Sequence, residues 1–144
     1  MPTPAPIDPR GPRFDQGVLT IFLLVAFVAD LRFLVPLMAF VLLLAVALGP
    51  RYSPFLRVYG DLVRPRLHPP KHLEDPRPPR FAAMVGAAFL LASSLSFVLG
   101  HQVMAWALAL LVAVLAGLGA TSGLCIGCEL YLYFARRRGV HVAT

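Results

Sequence analysis

Charge is scarce in this chain of 144 residues: Asp, Glu, Lys and Arg make up 14% of it, against 58% hydrophobic residues and a mean hydropathy of +0.75. A soluble domain carries about a quarter charged residues, so water is not the main solvent expected here. The apolar runs lack the apolar/polar alternation of barrel strands, which excludes a membrane β-barrel and leaves helices as the spanning elements. No basic segment leads straight into an apolar run at the N-terminus, and no cleaved signal peptide is expected. Cysteine is limited to two residues and histidine to four, so a zinc site built on both thiols would have to find two further ligands among His68, His72, His101 and His141.

What is present is organised by repetition. Asp8-Pro9-Arg10-Gly11-Pro12-Arg13-Phe14 recurs 67 residues later as Asp75-Pro76-Arg77-Pro78-Pro79-Arg80-Phe81, with six of seven positions identical. Each copy precedes an apolar block, Gly17 to Gly49 and Ala82 to about Gly123. The first block is interrupted by Asp30-Leu31-Arg32 before Pro36, the second by Gly100-His101-Gln102. Each block reads as helix, tight turn and helix, and roughly 20 residues per helix suffice to cross a bilayer core. The expected fold is all-α: an integral membrane four-helix bundle made of two parallel-repeat helical hairpins. Its parts are repeat 1 over 8–54, a connecting loop over 55–74, repeat 2 over 75–135 and a basic tail over 136–144. The first span is the weakest, since Gly17 to Ala29 gives only roughly 20 Å of uncharged helix and must recruit Phe14 to Gln16 or enter as a re-entrant segment.

Twelve of the thirteen basic residues fall in the N-terminal segment, the central loop or the tail, and only Arg32 lies in a turn on the other side. The positive-inside rule then places both termini and the loop in the cytoplasm. In the loop, Phe55, Tyr59, Leu62 and Val63 recur at helical spacing opposite Arg57, Asp61 and Arg64. That pattern predicts a short amphipathic helix on a surface of anionic headgroups. The prolines from Pro65 to Pro79 predict an extended connector after it.

Both cysteines sit in Cys125-Ile126-Gly127-Cys128, a spacing that brings two sulfurs to one helix face. Gly117, Gly119, Thr121, Ser122 and Gly123 make a poor helix interior and a good break. A short C-terminal helix is therefore expected to begin near Leu124, with Cys125 in its first turn, where free backbone N–H groups favour a thiolate. A cytoplasmic dithiol is kept reduced, which favours redox or persulfide chemistry, or a soft metal such as Cu(I), over a permanent disulfide. Two small residues in a packed helix are the plainer reading.

Glu129 follows in an otherwise apolar stretch, either as a proton acceptor at membrane depth or pointing to water from an interfacial helix. Arg10, Arg13, Arg77 and Arg80 suit lipid phosphates, or would converge near the repeat axis on an anion such as a sulfur oxyanion.

With its two Asp-Pro-Arg-x-Pro-Arg-Phe segments, Leu62-Val63-Arg64-Pro65-Arg66-Leu67 and Cys125-Ile126-Gly127-Cys128-Glu129-Leu130-Tyr131, the chain resembles an uncharacterised family of small bacterial membrane proteins catalogued as a domain of unknown function, number 4395. Members resemble partners of thioredoxin-like and rhodanese-type sulfurtransferase proteins, which implies thiol or sulfur handling at the bacterial inner membrane. Vitamin K epoxide reductase and the disulfide-bond-formation proteins share a four-helix bundle with a Cys-x-x-Cys pair. They use more cysteines and the outer face, and this chain has no second pair.

The function expected is a membrane-bound dithiol module, with Cys125 attacking, Cys128 resolving and Glu129 nearby, passing electrons or sulfane sulfur between a thioredoxin- or rhodanese-like protein and a membrane acceptor. Alternatives are a small transporter or channel for a sulfur species or metal, which would need a homo-oligomer around four short helices, and a noncatalytic membrane anchor for a soluble enzyme. No bound cofactor, resident metal or nucleic-acid partner is expected.

Overall fold

The computed structural model describes residues 5–49 and 52–139, so Arg51 and the end of the basic tail, His141 included, lie outside the described residues. The described residues form six helices and no strand: α1 (Arg10–Val28), α2 (Leu34–Leu48), α3 (Pro54–Val58), α4 (Arg77–Val98), α5 (Gln102–Ser122) and α6 (Ile126–Arg137). Three of them, α1, α4 and α5, are long and apolar enough to cross a membrane, with 19, 22 and 21 residues. The shortest of the four apolar helices is α2, at 15 residues, and not α1 as the run of uncharged residues predicts. α1 gains its length by starting at Arg10 and taking in Phe14 to Gln16. α2 stops at Gly49, whose φ of 97° no helix tolerates and which Pro50 follows in the sequence.

The same local chemistry opens and closes α1 and α4. At the start, the Asp8 carboxylate accepts the Arg10 N–H at 3.0 Å and the Asp75 carboxylate accepts the Arg77 N–H at 2.9 Å, each across a proline. These aspartates satisfy backbone donors that a helix start leaves free. At the end, the Leu31 N–H reaches Ala26 O and the Asp30 N–H reaches Phe27 O, at 2.8 and 3.3 Å. After α4, the His101 N–H reaches Ser96 O and the Gly100 N–H reaches Phe97 O, at 2.8 and 3.2 Å. Both are Schellman closures, which need one residue in the left-handed region. Asp30 takes it at φ 52° and Gly100 at φ 83°. Asp30 is held there by a two-pronged ion pair with Arg32, at 3.1 and 3.3 Å.

α1 packs along α5, α2 along α4, and α4 along both α5 and α6, whereas α1 and α2 touch each other only sparsely. Small residues let the backbones approach, with Ala26, Ala39, Ala87, Ala105, Ala109 and Ala113 all buried. Polar side chains bond across between helices, and no buried side-chain N or O is unpaired among the described residues: Ser93 Oγ donates to Ala105 O at 2.6 Å, and Thr20 Oγ1 to Ala113 O at 3.2 Å. Trp106 of α5 stands edge-on to Phe27 and Phe97, with centroids 5.3 and 5.0 Å away. The outward faces are apolar as well, with Ile21, Val28, Phe40, Leu95, Val98 and Val103 each more than half exposed. That is far more exposed apolar surface than a soluble monomer tolerates.

Two amphipathic segments lie against the helix starts. α3 continues through a π-type turn (Tyr59–Val63) and a 3-10 turn (Arg64–Arg66), so the helix predicted in the loop is present with a change of pitch after Val58. Its Tyr59 packs on Phe14 of α1 with centroids 5.5 Å apart and planes tilted by 42°. In α6, Tyr131 packs on Phe81 of α4 at 5.6 Å and 45°.

Candidate functional site

Ser122 and Gly123 break the chain between α5 and α6. Gly123 adopts φ 75° and closes α5 through its N–H to Gly119 O, and Ser122 Oγ accepts the Leu124 N–H at 3.2 Å. Helix α6 therefore starts at Ile126, two residues later than the sequence predicts, and Cys125 is its N-cap with extended φ −82° and ψ 108°. Both cysteines are free thiols and half-buried.

The Cys125 sulfur gathers donors. Gln16 of α1 reaches it with Nε2 at 3.3 Å, a contact spanning 109 residues of sequence. Hydrogen bonding from the Cys128 thiol, against the opposing cost of burial and with help from the Cys128 and Gly127 backbone N–H groups and Gln16, brings the Cys125 thiol down to about 6. Cys128 is pushed upward, because its proton is held in the bond to Cys125, it is partly buried, and the Cys125 thiolate, Glu74 and Glu129 stand nearby. The two thiols are thus unlike. Cys125 is the one drawn toward the thiolate, and Cys128 the one drawn toward the protonated form.

Cys125 also forms part of the wall of a cavity of about 640 Å³. At the thiol end the cavity meets Asp15, Gln16, Arg77 and Arg80, and deeper it runs between Leu19, Leu42, Gly86 and Val112 of the four long apolar helices. Asp15 is held from the other side by Ser53 Oγ at 3.1 Å. Ser53 is fully buried and is the N-cap of α3, so it occupies in α3 the place that Cys125 takes in α6.

The residues singled out from the sequence separate here. Cys125 and Cys128 come together at a helix start. Glu129 is exposed, and its charge stands near Cys128. The four arginines have separate surroundings: Arg10 donates to His68 O at 3.1 Å, the Arg13 guanidinium lies against Gly123, Arg77 stands 4.0 Å from Asp75, and Arg80 donates to Val46 O at the end of α2. Arg77 and Arg80 line the cavity. No group of three or more metal-binding side chains exists among the described residues.

Asp15 and Gln16 are the site residues that sequence reading missed. The signal was available in the repeated segment, since Asp15-Gln16 follows the first Asp-Pro-Arg-x-Pro-Arg-Phe copy where Ala82-Ala83 follows the second.

A family model described as a domain of unknown function (DUF4395) matches residues 7–136. No curated protein and no solved structure matches the chain.

Proposed function

The chain belongs to that family, and we propose that it is a membrane-bound dithiol module, in which Cys125 attacks and Cys128 resolves, working in thiol redox or sulfur transfer with a thioredoxin- or rhodanese-like partner. The observation that carries this reading is the asymmetry of the pair. One thiol is hydrogen-bonded by Gln16 and by its neighbour at a helix start, and the other holds its proton one turn on. An attacking thiol near neutral pKa and a resolving thiol beside it are what thiol–disulfide or persulfide exchange needs.

The setting we propose is a four-helix bundle of two parallel copies, α1 to α3 and α4 to α6, in a bacterial inner membrane with both termini cytoplasmic. The matched caps, the matched aromatic pairs and the reciprocal packing of α1 on α5 and α4 on α2 support two copies. Exposed apolar faces support a bilayer, and the placing of Arg and Lys supports the orientation. α2 would cross with roughly 22 Å of helix, a mismatch met by local thinning or by its flanking residues. Anionic headgroups would meet the basic loop.

Alkylation mass spectrometry of the purified protein tests the chemistry. After reductant, polysulfide or oxidised thioredoxin, Cys125 is expected to change state first, as a mixed disulfide or persulfide that Cys128 resolves. Two cysteines inert under every condition would reject the reading.

A further inference from the structure

The cavity behind Cys125 has no place in an exchange with a soluble partner alone. It is built as a small-molecule site, within the range of roughly 300–1,000 Å³ that such sites occupy, with apolar walls and a few polar groups at one end. Its deep walls, Leu19, Leu42, Gly86 and Val112, belong to the long apolar helices, and the sparse contact between α1 and α2 leaves that side of the bundle loosely closed. The matching partners α4 and α5 pack closely. A ligand entering there has an apolar body.

We propose that this cavity binds a lipid-soluble quinone, which takes two electrons from the Cys125–Cys128 dithiol. The inference rests on the dithiol reading and names its membrane acceptor. Three features select a quinone over an acyl chain or an alkyl headgroup. Cys125 lines the cavity and Cys128 stands behind it, hydrogen-bonded to its sulfur, so the thiol meeting the ligand has a second thiol poised to displace whatever bonds to it. Acyl capture needs one cysteine; a two-electron acceptor needs the pair. Arg77 and Arg80 supply donors for ring carbonyl oxygens, and Asp15 supplies a carboxyl group for proton transfer at the same end. The polar residues here are not repeated: Asp15 and Gln16 of the first half stand where the second has Ala82 and Ala83, and Cys125 of the second stands where the first has Ser53.

In the reaction, the Cys125 thiolate adds to a ring carbon beside a carbonyl, forming a C–S bond and moving an electron pair to the ring. The Cys128 sulfur then attacks Cys125 Sγ. The S–S bond forms, the C–S bond breaks, and its electron pair stays on the ring. The proton of Cys128 and the proton that Cys125 released on ionising, taken up by Asp15 or by water and returned, end on the two ring oxygens. The sum is two thiols and a quinone giving a disulfide and a hydroquinone, with the dithiol oxidised and the ring reduced.

Full-length protein in lipid nanodiscs, reduced and freed of reductant, is mixed without oxygen with a short-chain ubiquinone analogue. The expected result is one hydroquinone per protein and a Cys125–Cys128 disulfide by mass spectrometry. A Cβ at Gly86 would stand 3.4 Å from Leu42 Cδ1 and 3.9 Å from Val112 Cγ1, so Gly86→Leu fills the cavity. It is expected to slow quinone reduction at least tenfold while leaving oxidation by diamide unchanged. Gly86→Ala makes only ordinary contacts and keeps the fold; it is expected to slow the reaction severalfold. A dithiol that diamide oxidises and the quinone does not would overturn the quinone and spare the dithiol reading. Unchanged quinone rates in both Gly86 variants would overturn the cavity as its site. Cysteines inert to both oxidants would overturn both proposals.

Discussion

Ile7 and Glu74 exchange both of their backbone hydrogen bonds, each N–H reaching the other's carbonyl oxygen at 2.9 Å. They are the residues just before Asp8 and Asp75, and so the matching positions of the two Asp-Pro-Arg-x-Pro-Arg-Phe segments. Reciprocal pairing of two matching positions is the local geometry found about a two-fold axis, as at the interface of a symmetric dimer, and it supports the proposed two copies. The pair sits at the mouth of the cavity, which Ile7 lines, and ties the starts of α1 and α4 together. Because the link is made by backbone alone, Glu74→Ala is expected to be neutral. Glu74→Pro removes one of the two donors and is expected to lower the thermal midpoint in detergent, at a cost of roughly 1–2 kcal/mol.

The thiol pair sets a pH signature. With Cys125 brought down to about 6, its alkylation by iodoacetamide is expected to rise through pH 6 and level off above it, where an ordinary thiol is still mostly protonated. Cys128→Ala removes the largest stabiliser of the thiolate and is expected to move that midpoint upward, whereas Cys128→Ser keeps a donor and moves it less. Gln16→Ala removes another and is expected to raise the midpoint by about one pH unit. Midpoints that are identical in the wild type and in Cys128→Ala would contradict the assigned hydrogen bond.

Helix α6 approaches the α4 backbone closely at Gly127. A Cβ on Gly127 would stand 2.8 Å from Ala82 Cβ and 3.0 Å from Ala82 Cα, and the second of these belongs to the backbone. Gly127→Leu is expected to lift the dithiol helix away, with a loss of roughly 1–3 kcal/mol and faster proteolysis after Phe134. Gly60, with nothing within 4 Å of its Cβ position, supplies the control. Gly60→Ala is expected to change the thermal midpoint little.

Inside the bundle, Ser93 is fully buried and bonds across to Ala105 O at 2.6 Å. Ser93→Val puts a branched side chain where α4 bonds to α5 and removes that bond. The expected loss is about 2 kcal/mol, and about 1 kcal/mol or less for Ser93→Ala, read as thermal unfolding in detergent.

The architecture was legible where the sequence carries a breaker or a long apolar run. Asp30, Gly49, Gly100 and Gly123 each take a positive φ at a helix end, and each marks a break read from the sequence. The register between halves was less legible, because α4 is longer than α1 by three residues. The counterpart of Asp30 is therefore Gly100, seventy positions on rather than sixty-seven. The start of α6 was misplaced because Ser122 and Gly123 hold Leu124 outside the helix through local hydrogen bonds that composition does not foretell. Convergence of the four arginines was a reading of charge alone, and in the fold three of them, Arg10, Arg77 and Arg80, lie beside a separate carbonyl or carboxylate. Gln16 beside Cys125 was out of reach of any local pattern, since it depends on α1 lying along α5.

Trp106 is the chain's single tryptophan, and its placement between Phe27 and Phe97 makes it an intrinsic optical gauge. The indole lies near the start of α5, nineteen residues and roughly 28 Å of helix rise from Cys125. Its rings of contact come from α1 and α4, the first helix of each half. Emission colour and anisotropy therefore read how tightly the two halves close at the end remote from the thiols, in unlabelled protein. A change in that signal on oxidising the dithiol would be a mechanical message carried the length of the bundle, separable from the chemistry itself.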